Sequence, residues 1–120
     1  MASNAPELIK TAYGQFVAEL PALAKLNLVI RVELHGRGDV QIFRVQTPGP
    51  EISKTDPGDA RLTIDMPRAV LNEHASGTVS GWHKPWDHGE IKVGGDPDIA
   101  KLLGTVIAKH EARAGHRRVR

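Results

Sequence analysis

Metal-ligating side chains come closest together in the segment Trp82-His83-Lys84-Pro85-Trp86-Asp87-His88. His83, Asp87 and His88 supply two imidazoles and a carboxylate that could hold a metal if the loop folded round an ion. The spacing matches no standard ligand signature, and Lys84 puts an adverse charge beside it, so a polar surface loop is the competing reading. Gly77-Thr78-Val79-Ser80-Gly81 resembles a nucleophile elbow, but its serine stands fourth instead of third and no strand-to-helix turn surrounds it. Gly94-Gly95 before a helix start suggests a phosphate cradle, yet Asp96 and Asp98 already occupy that end and would repel an anion. A tight turn with Asp96 as helix cap is the better account. Arg37-Gly38-Asp39 is an adhesion tripeptide by letter only, in a hairpin turn. Glu51, Asp87 and Glu90 show no pairing suited to acid–base work. No catalytic set and no cofactor motif is read, and a non-enzyme is expected. Trp82 and Trp86 remain, in a chain with only one Tyr and two Phe besides. They either plug the core edge or line the mouth of an apolar cavity, a wet-to-dry boundary that suits an amphipathic ring.

The elements that must position these residues follow from hydrophobic periodicity. Asn4 caps a first helix with Pro6 in its first turn, and Leu8, Ile9, Ala12, Tyr13, Phe16, Val17 and Leu20 form its apolar stripe until Pro21 interrupts it. Residues 22–26 form a connector. Leu28, Ile30, Val32 and Leu34 alternate with Asn27, Val29, Arg31 and Glu33, which predicts a half-buried strand. A Gly-containing turn at 35–39 returns the chain through Val40–Val45. Short strands are predicted at Glu51–Lys54 and Arg61–Ile64, completing a four-strand meander. Asp65-Met66-Pro67 predicts the start of a short helix with Val70 and Leu71 on its apolar face. Residues 77–87 are irregular, with Pro85 excluding a long helix. A fifth strand, Glu90–Val93, precedes a last helix whose face is Ile99, Leu102, Leu103, Val106 and Ile107.

A chain of 120 residues is one domain on length alone, and it buries roughly 65% of its unfolded surface. The absence of cysteine excludes disulfides and thiolate chemistry. No signal peptide is read at Met1-Ala2-Ser3-Asn4, and a cytoplasmic location is expected. The formal charge of +2 conceals a division, because Arg113, Arg117, Arg118 and Arg120 lie in the last eight residues and the rest carries −2. Nucleic acid is therefore not an expected partner, since its binders carry positive charge on the folded face. The basic segment 111–120 reads as a mobile terminal tail or as a transient contact for an anionic membrane or protein.

Three pieces of the chain resemble the sterol carrier protein type 2 domain family. Asp59-Ala60-Arg61-Leu62-Thr63-Ile64, followed by a short helix at Pro67–His74, is similar to that family's strand and helix. Gly89-Glu90-Ile91-Lys92-Val93-Gly94-Gly95-Asp96 is similar to its last strand and turn, and the apolar helix Ile99–Ile107 follows directly. The strand and hairpin of Leu28–Val45 agree in position, so the resemblance spans about residues 5–110 of a single domain. It implies an α+β fold with a five-stranded, mainly antiparallel sheet covered on one face by helices, and a hydrophobic tunnel between them. It also implies non-catalytic binding or carriage of a fatty acyl lipid, acyl-CoA, phospholipid or sterol. Expected tunnel residues are Ile30, Val32, Phe43, Val70, Leu71, Trp82, Trp86, Leu103, Val106 and Ile107. One departure is the segment Ser80–Gly89, which is more polar than the family's apolar helix and is broken by Pro85. The alternative is a structural or regulatory module with a closed core that self-associates as a homodimer or docks on a lipid-metabolising enzyme.

Overall fold

The computed structural model describes residues 4–119 apart from 76 and 78, and the backbone alone at 80 and 109–119. Helix α1 spans Ala5–Glu19, and the Asn4 carboxamide accepts the Glu7 N–H at 2.9 Å as its cap. The connector after Pro21 is a 3₁₀ turn, Pro21–Lys25, that buries Leu23. Strands β1 (Leu28–His35) and β2 (Val40–Thr47) form the predicted hairpin in antiparallel register, with Val32 opposite Phe43. Strand β3 is short, Glu51–Ser53.

The predicted meander does not form. Strand β4 (Leu62–Pro67) does not pair with β3 but crosses to the far side of β1, giving the order β3-β2-β1-β4-β5. Because β4 runs parallel to β1, with Ile30 opposite Leu62 and Leu34 opposite Met66, the sheet is mixed and not mainly antiparallel. The loop between β3 and β4 reaches the face of the sheet that carries Arg31 and Arg44. There Asp56 meets Arg31 at 2.8 Å and Asp59 meets Arg44 at 3.5 Å. These ion pairs tie down the crossover connection that a parallel pair requires.

Strand β4 also runs further than expected. Met66 and Pro67 continue the ladder with β1, and helix α2 begins only at Arg68, running to His74. The residue before a proline is pushed toward extended geometry, which keeps Met66 in the strand. Val79–Trp82 is a 3₁₀ turn and His83–Asp87 a five-residue helix, α3, with Pro85 buried inside it. Strand β5 is Lys92–Gly95, antiparallel to β4, and helix α4 spans Pro97–Val119. Gly95 has φ +95°, and a Cβ there would run into the Arg61 carbonyl. The Asp96 carboxylate accepts the Asp98 N–H at 3.0 Å and pairs with Arg61 at 2.9 Å, so the predicted cap is present and already has its cation. The backbone of the basic segment 111–119 is the last part of α4; its side chains and Arg120 lie outside the described residues. No described helix is long and apolar enough to cross a membrane.

Side chains alternate across each strand, so one face of the sheet is apolar and the other charged. Val32, Leu34, Phe43, Val45 and Met66 turn toward the helices and join Ile9, Leu71, Val79, Trp82 and Ile107 in one core. The opposite face carries Arg31, Glu33, His35, Arg44 and Asp65.

Candidate ligand cavity

Between the apolar face of the sheet and the helices lies a cavity of about 130 Å³. Its floor is formed by Ile30 and Val32 of β1, Val45 of β2, Leu62 and Ile64 of β4, and Val93 of β5. Its roof comes from Tyr13 and Phe16 of α1, Leu71 of α2, Trp82, Trp86, and Leu103 and Ile107 of α4. No charged side chain lines it.

The mouth follows from which wall residues keep access to solvent. Ile64 sits opposite Val93 on the helix-covered face, with Ile30 diagonal to it on β1, and each of the three is only half-buried, while Val32 and Leu62 between them are buried. Tyr13 and Phe16 of α1, Trp86 of α3, and Ile99 and Leu103 of α4 are half-buried too. Apolar residues in the middle of a sheet stay partly exposed when the elements above them leave a gap. Helix α1 packs on α2, β3 and the 3₁₀ turns, while α4 packs on α3, β5 and the turn at Val79–Trp82. The mouth therefore opens between α1 and α4, and the Val79–Trp82 turn bridges the two helices at the back.

That back wall is tightly built. Trp82 is 3% exposed and sits beside the Phe16 ring, with centroids 6.3 Å apart, and the His74 ring, 5.6 Å away. Its indole N–H donates to the Gln15 Oε1 at 2.9 Å. The Gln15 amide nitrogen in turn donates toward the carbonyls of Gly77 at 2.6 Å, Ala75 at 2.7 Å and His74 at 3.2 Å. One glutamine thus joins α1, the end of α2 and the tryptophan. Trp86 lies against α4 where Gly104 offers no side chain; a Cβ at 104 would come within 3.2 Å of the indole ring.

Two hydroxyls mark the end of the cavity near the Pro21–Lys25 turn. Thr47, buried, donates to the Leu26 carbonyl at 2.7 Å and accepts the Leu28 N–H at 3.1 Å. The Tyr13 phenol donates to the Leu23 carbonyl at 3.3 Å. Burial pushes its pKa above the ordinary value, with the neighbouring Thr47 hydroxyl partly opposing. These hydroxyls are engaged with the protein's own backbone and tie the Pro21–Lys25 turn to α1 and β2.

Of the residues expected from sequence, Ile30, Val32, Leu71, Trp82, Trp86, Leu103 and Ile107 lie on the cavity wall. Phe43, Val70 and Val106 are buried in the core without lining it. Trp82 is at the back wall and Trp86 at the rim, so the two tryptophans divide the alternatives of core plug and cavity mouth between them. The α1 residues Tyr13 and Phe16 were legible as an apolar stripe, but nothing in the stripe distinguished a cavity wall from solid core. Gln15 is not singled out by the sequence; its one signal is a polar residue at the edge of that stripe, on the helix face beside Leu8 and Ala12.

His83, Asp87 and His88 do not converge as metal ligands. Among the described residues, the one such grouping is Glu33, His35 and Asp65, half-exposed on the charged face of the sheet. His35 Nε2 lies 2.9 Å from Glu33 and 2.7 Å from Asp65, and Arg31 meets the other Glu33 oxygen at 2.7 Å. This is an ion-pair network on the opposite side of the sheet from the cavity. Gly77 and Val79 of the elbow-like segment are described, but the Ser80 side chain lies outside the described residues.

A mixed sheet of five strands in the order β3-β2-β1-β4-β5, with helices packed over one face, defines a class of small α+β domains. Its solved counterparts are sterol carrier protein type 2 domains, and the chain has their fold. The solution structure of palmitated sterol carrier protein 2-like 2 from Aedes aegypti matches with TM-score 0.63 at 18% identity, covering 88% of this chain and 95% of that one. The crystal structure of the same Aedes aegypti protein matches with TM-score 0.54 at 18% identity, covering 87% of this chain and 100% of that one. The solution structure of sterol carrier protein domain 2 of Helicoverpa armigera gives 0.54 at 10% identity, covering 90% and 95%. No family model matches the sequence, and no curated protein matches it.

Proposed function

We propose that this domain binds and carries an apolar ligand, a fatty acyl lipid, acyl-CoA or sterol, without covalent chemistry. The observation that carries the reading is an open cavity walled by aliphatic and aromatic side chains, over a sheet on which Ile30, Ile64 and Val93 stay half-buried. Burying apolar ligand surface there gains roughly 25 cal/mol per Å², so an alkyl group is held with almost no polar contacts. The palmitated Aedes aegypti protein of the same fold supports an acyl ligand. Ligand would pass between α1 and α4, with its polar end left in water at the mouth. The open cavity weighs against the closed-core interaction module. The basic segment 111–120 gives the carrier a means of meeting anionic membrane surfaces.

The test is organic extraction of the purified protein after exposure to a mixed lipid pool, with mass spectrometry of the extract. A stoichiometric acyl lipid or sterol is expected. A clean extract, together with failure to bind any fluorescent acyl probe at micromolar concentration, would refute the reading.

A further inference from the structure

The size of the cavity and the way its back wall is held restrict what the binding reading admits, and the following inference rests on that reading. A volume of about 130 Å³ is slightly below that of an engineered cavity of about 150 Å³ that takes benzene. By that comparison the space accepts about six chain carbons at most. A longer chain needs either a wall that yields or a position outside the mouth.

The back wall is the one least able to yield. Trp82 fills it with a ring in contact distance of Phe16 and His74, and its indole N–H is fixed on Gln15. The orientation of Gln15 is itself fixed, because its amide nitrogen faces the carbonyls of Ala75 and Gly77, leaving only its oxygen for the tryptophan. Moving the indole aside would break its bond to Gln15 and leave the buried indole N–H without that partner. The mouth is different: Trp86 and Leu103 there are half-buried and make no hydrogen bond across the gap.

We propose that Trp82, locked by Gln15, is a chain-length stop that lets this domain bury only about six carbons of an acyl chain. Longer chains insert their ends to the same depth and leave the remainder in water. Each methylene that is buried tightens binding about fourfold, whereas one left outside contributes little.

Calorimetric titration with the straight-chain fatty acids of four, six, eight, ten, twelve and fourteen carbons tests this. The expected profile rises about fourfold per methylene to about six carbons and then flattens to less than twofold per pair of carbons. Trp82→Leu should move the break out by two to four carbons, roughly the volume it vacates. Gln15→Leu should move it in the same direction with the tryptophan still present, and Val40→Ala, exposed on the opposite face of the sheet, should leave it in place. Near-UV circular dichroism checks that each variant is folded, and the wild-type profile needs no variant. A rise that continues unbroken to fourteen carbons would overturn the stop and leave the apolar-ligand reading standing. So would a Trp82→Leu protein that is folded and breaks at the wild-type length. Absence of binding at every length would remove the reading underneath, and the stop with it.

Discussion

At Gly95 one missing side chain decides whether two strands can pair. The residue lies at φ +95°, where an L-residue is strained, and its Cα faces the Arg61 carbonyl so closely that a Cβ would collide with backbone. Backbone cannot step aside as a side-chain tip can. Gly95→Ala should therefore cost about 2 kcal/mol, lowering the melting temperature by about 8 °C. Gly94→Ala, where a Cβ would meet nothing within 4 Å, is the matched control and should be near neutral. A pair of equal melting curves in differential scanning calorimetry would refute the argument. The sequence disclosed the Asp96 cap, since a cap is local, but Gly94 and Gly95, read as a turn, pair with Thr63 and Leu62 as the end of β5. It did not disclose Gln15, whose partners at residues 74, 75, 77 and 82 are distant in the chain and mostly backbone carbonyls. For the same reason Phe43, Val70 and Val106 could not be told from wall residues: an inward-facing aliphatic side chain looks alike whether it meets another side chain or a void.

At the scale of elements, every predicted helix and strand forms near its expected place, and the error lies in which strands pair. Alternating hydrophobicity identifies a strand with one buried face but does not name its neighbour. The parallel β1–β4 pair depends on contacts between residues far apart in the chain, which no local pattern encodes. The crossover loop lies on the charged face, where Asp56 and Asp59 meet Arg31 and Arg44. Glu33 sits in the middle of that face, and the Arg31 guanidinium holds its carboxyl below the usual carboxylate value, with burial opposing. A depressed carboxyl stabilises the folded chain above its unfolded pKa, and that contribution is lost as pH falls through the lower folded value. Arg31→Met, which removes contacts to both Glu33 and Asp56, should destabilise the domain by about 1 kcal/mol at pH 7. The difference between the two proteins should shrink steadily below about pH 4.5. Urea unfolding measured at several pH values checks this, and a difference that grows on acidification would show that the pair acts with the opposite sign.

For the whole molecule the distribution of charge matters more than its total. The net +2 is the sum of a slightly acidic body and a basic end, and α4 carries its backbone as helix from the cavity wall at Leu103 and Ile107 into that basic end. One element thus joins the proposed ligand site to the proposed membrane contact. Each arginine near an anionic leaflet contributes about 1 kcal/mol, and the attraction fades within a Debye length. Four arginines over an acidic body give a weak, salt-sensitive association, which suits a carrier that must leave the surface again. In sedimentation with large vesicles, the protein should bind those containing a third phosphatidylserine at low salt and release them at roughly 150 mM salt and above. Neutral phosphatidylcholine vesicles should not retain it. Replacing Arg113, Arg117, Arg118 and Arg120 with glutamine should abolish sedimentation with anionic vesicles while acyl affinity, set by the cavity, stays within twofold. Equal sedimentation of wild type and variant would place the membrane contact elsewhere on the fold. A parallel loss of acyl binding would mean that the basic end of α4 is part of the ligand site and not a separate contact.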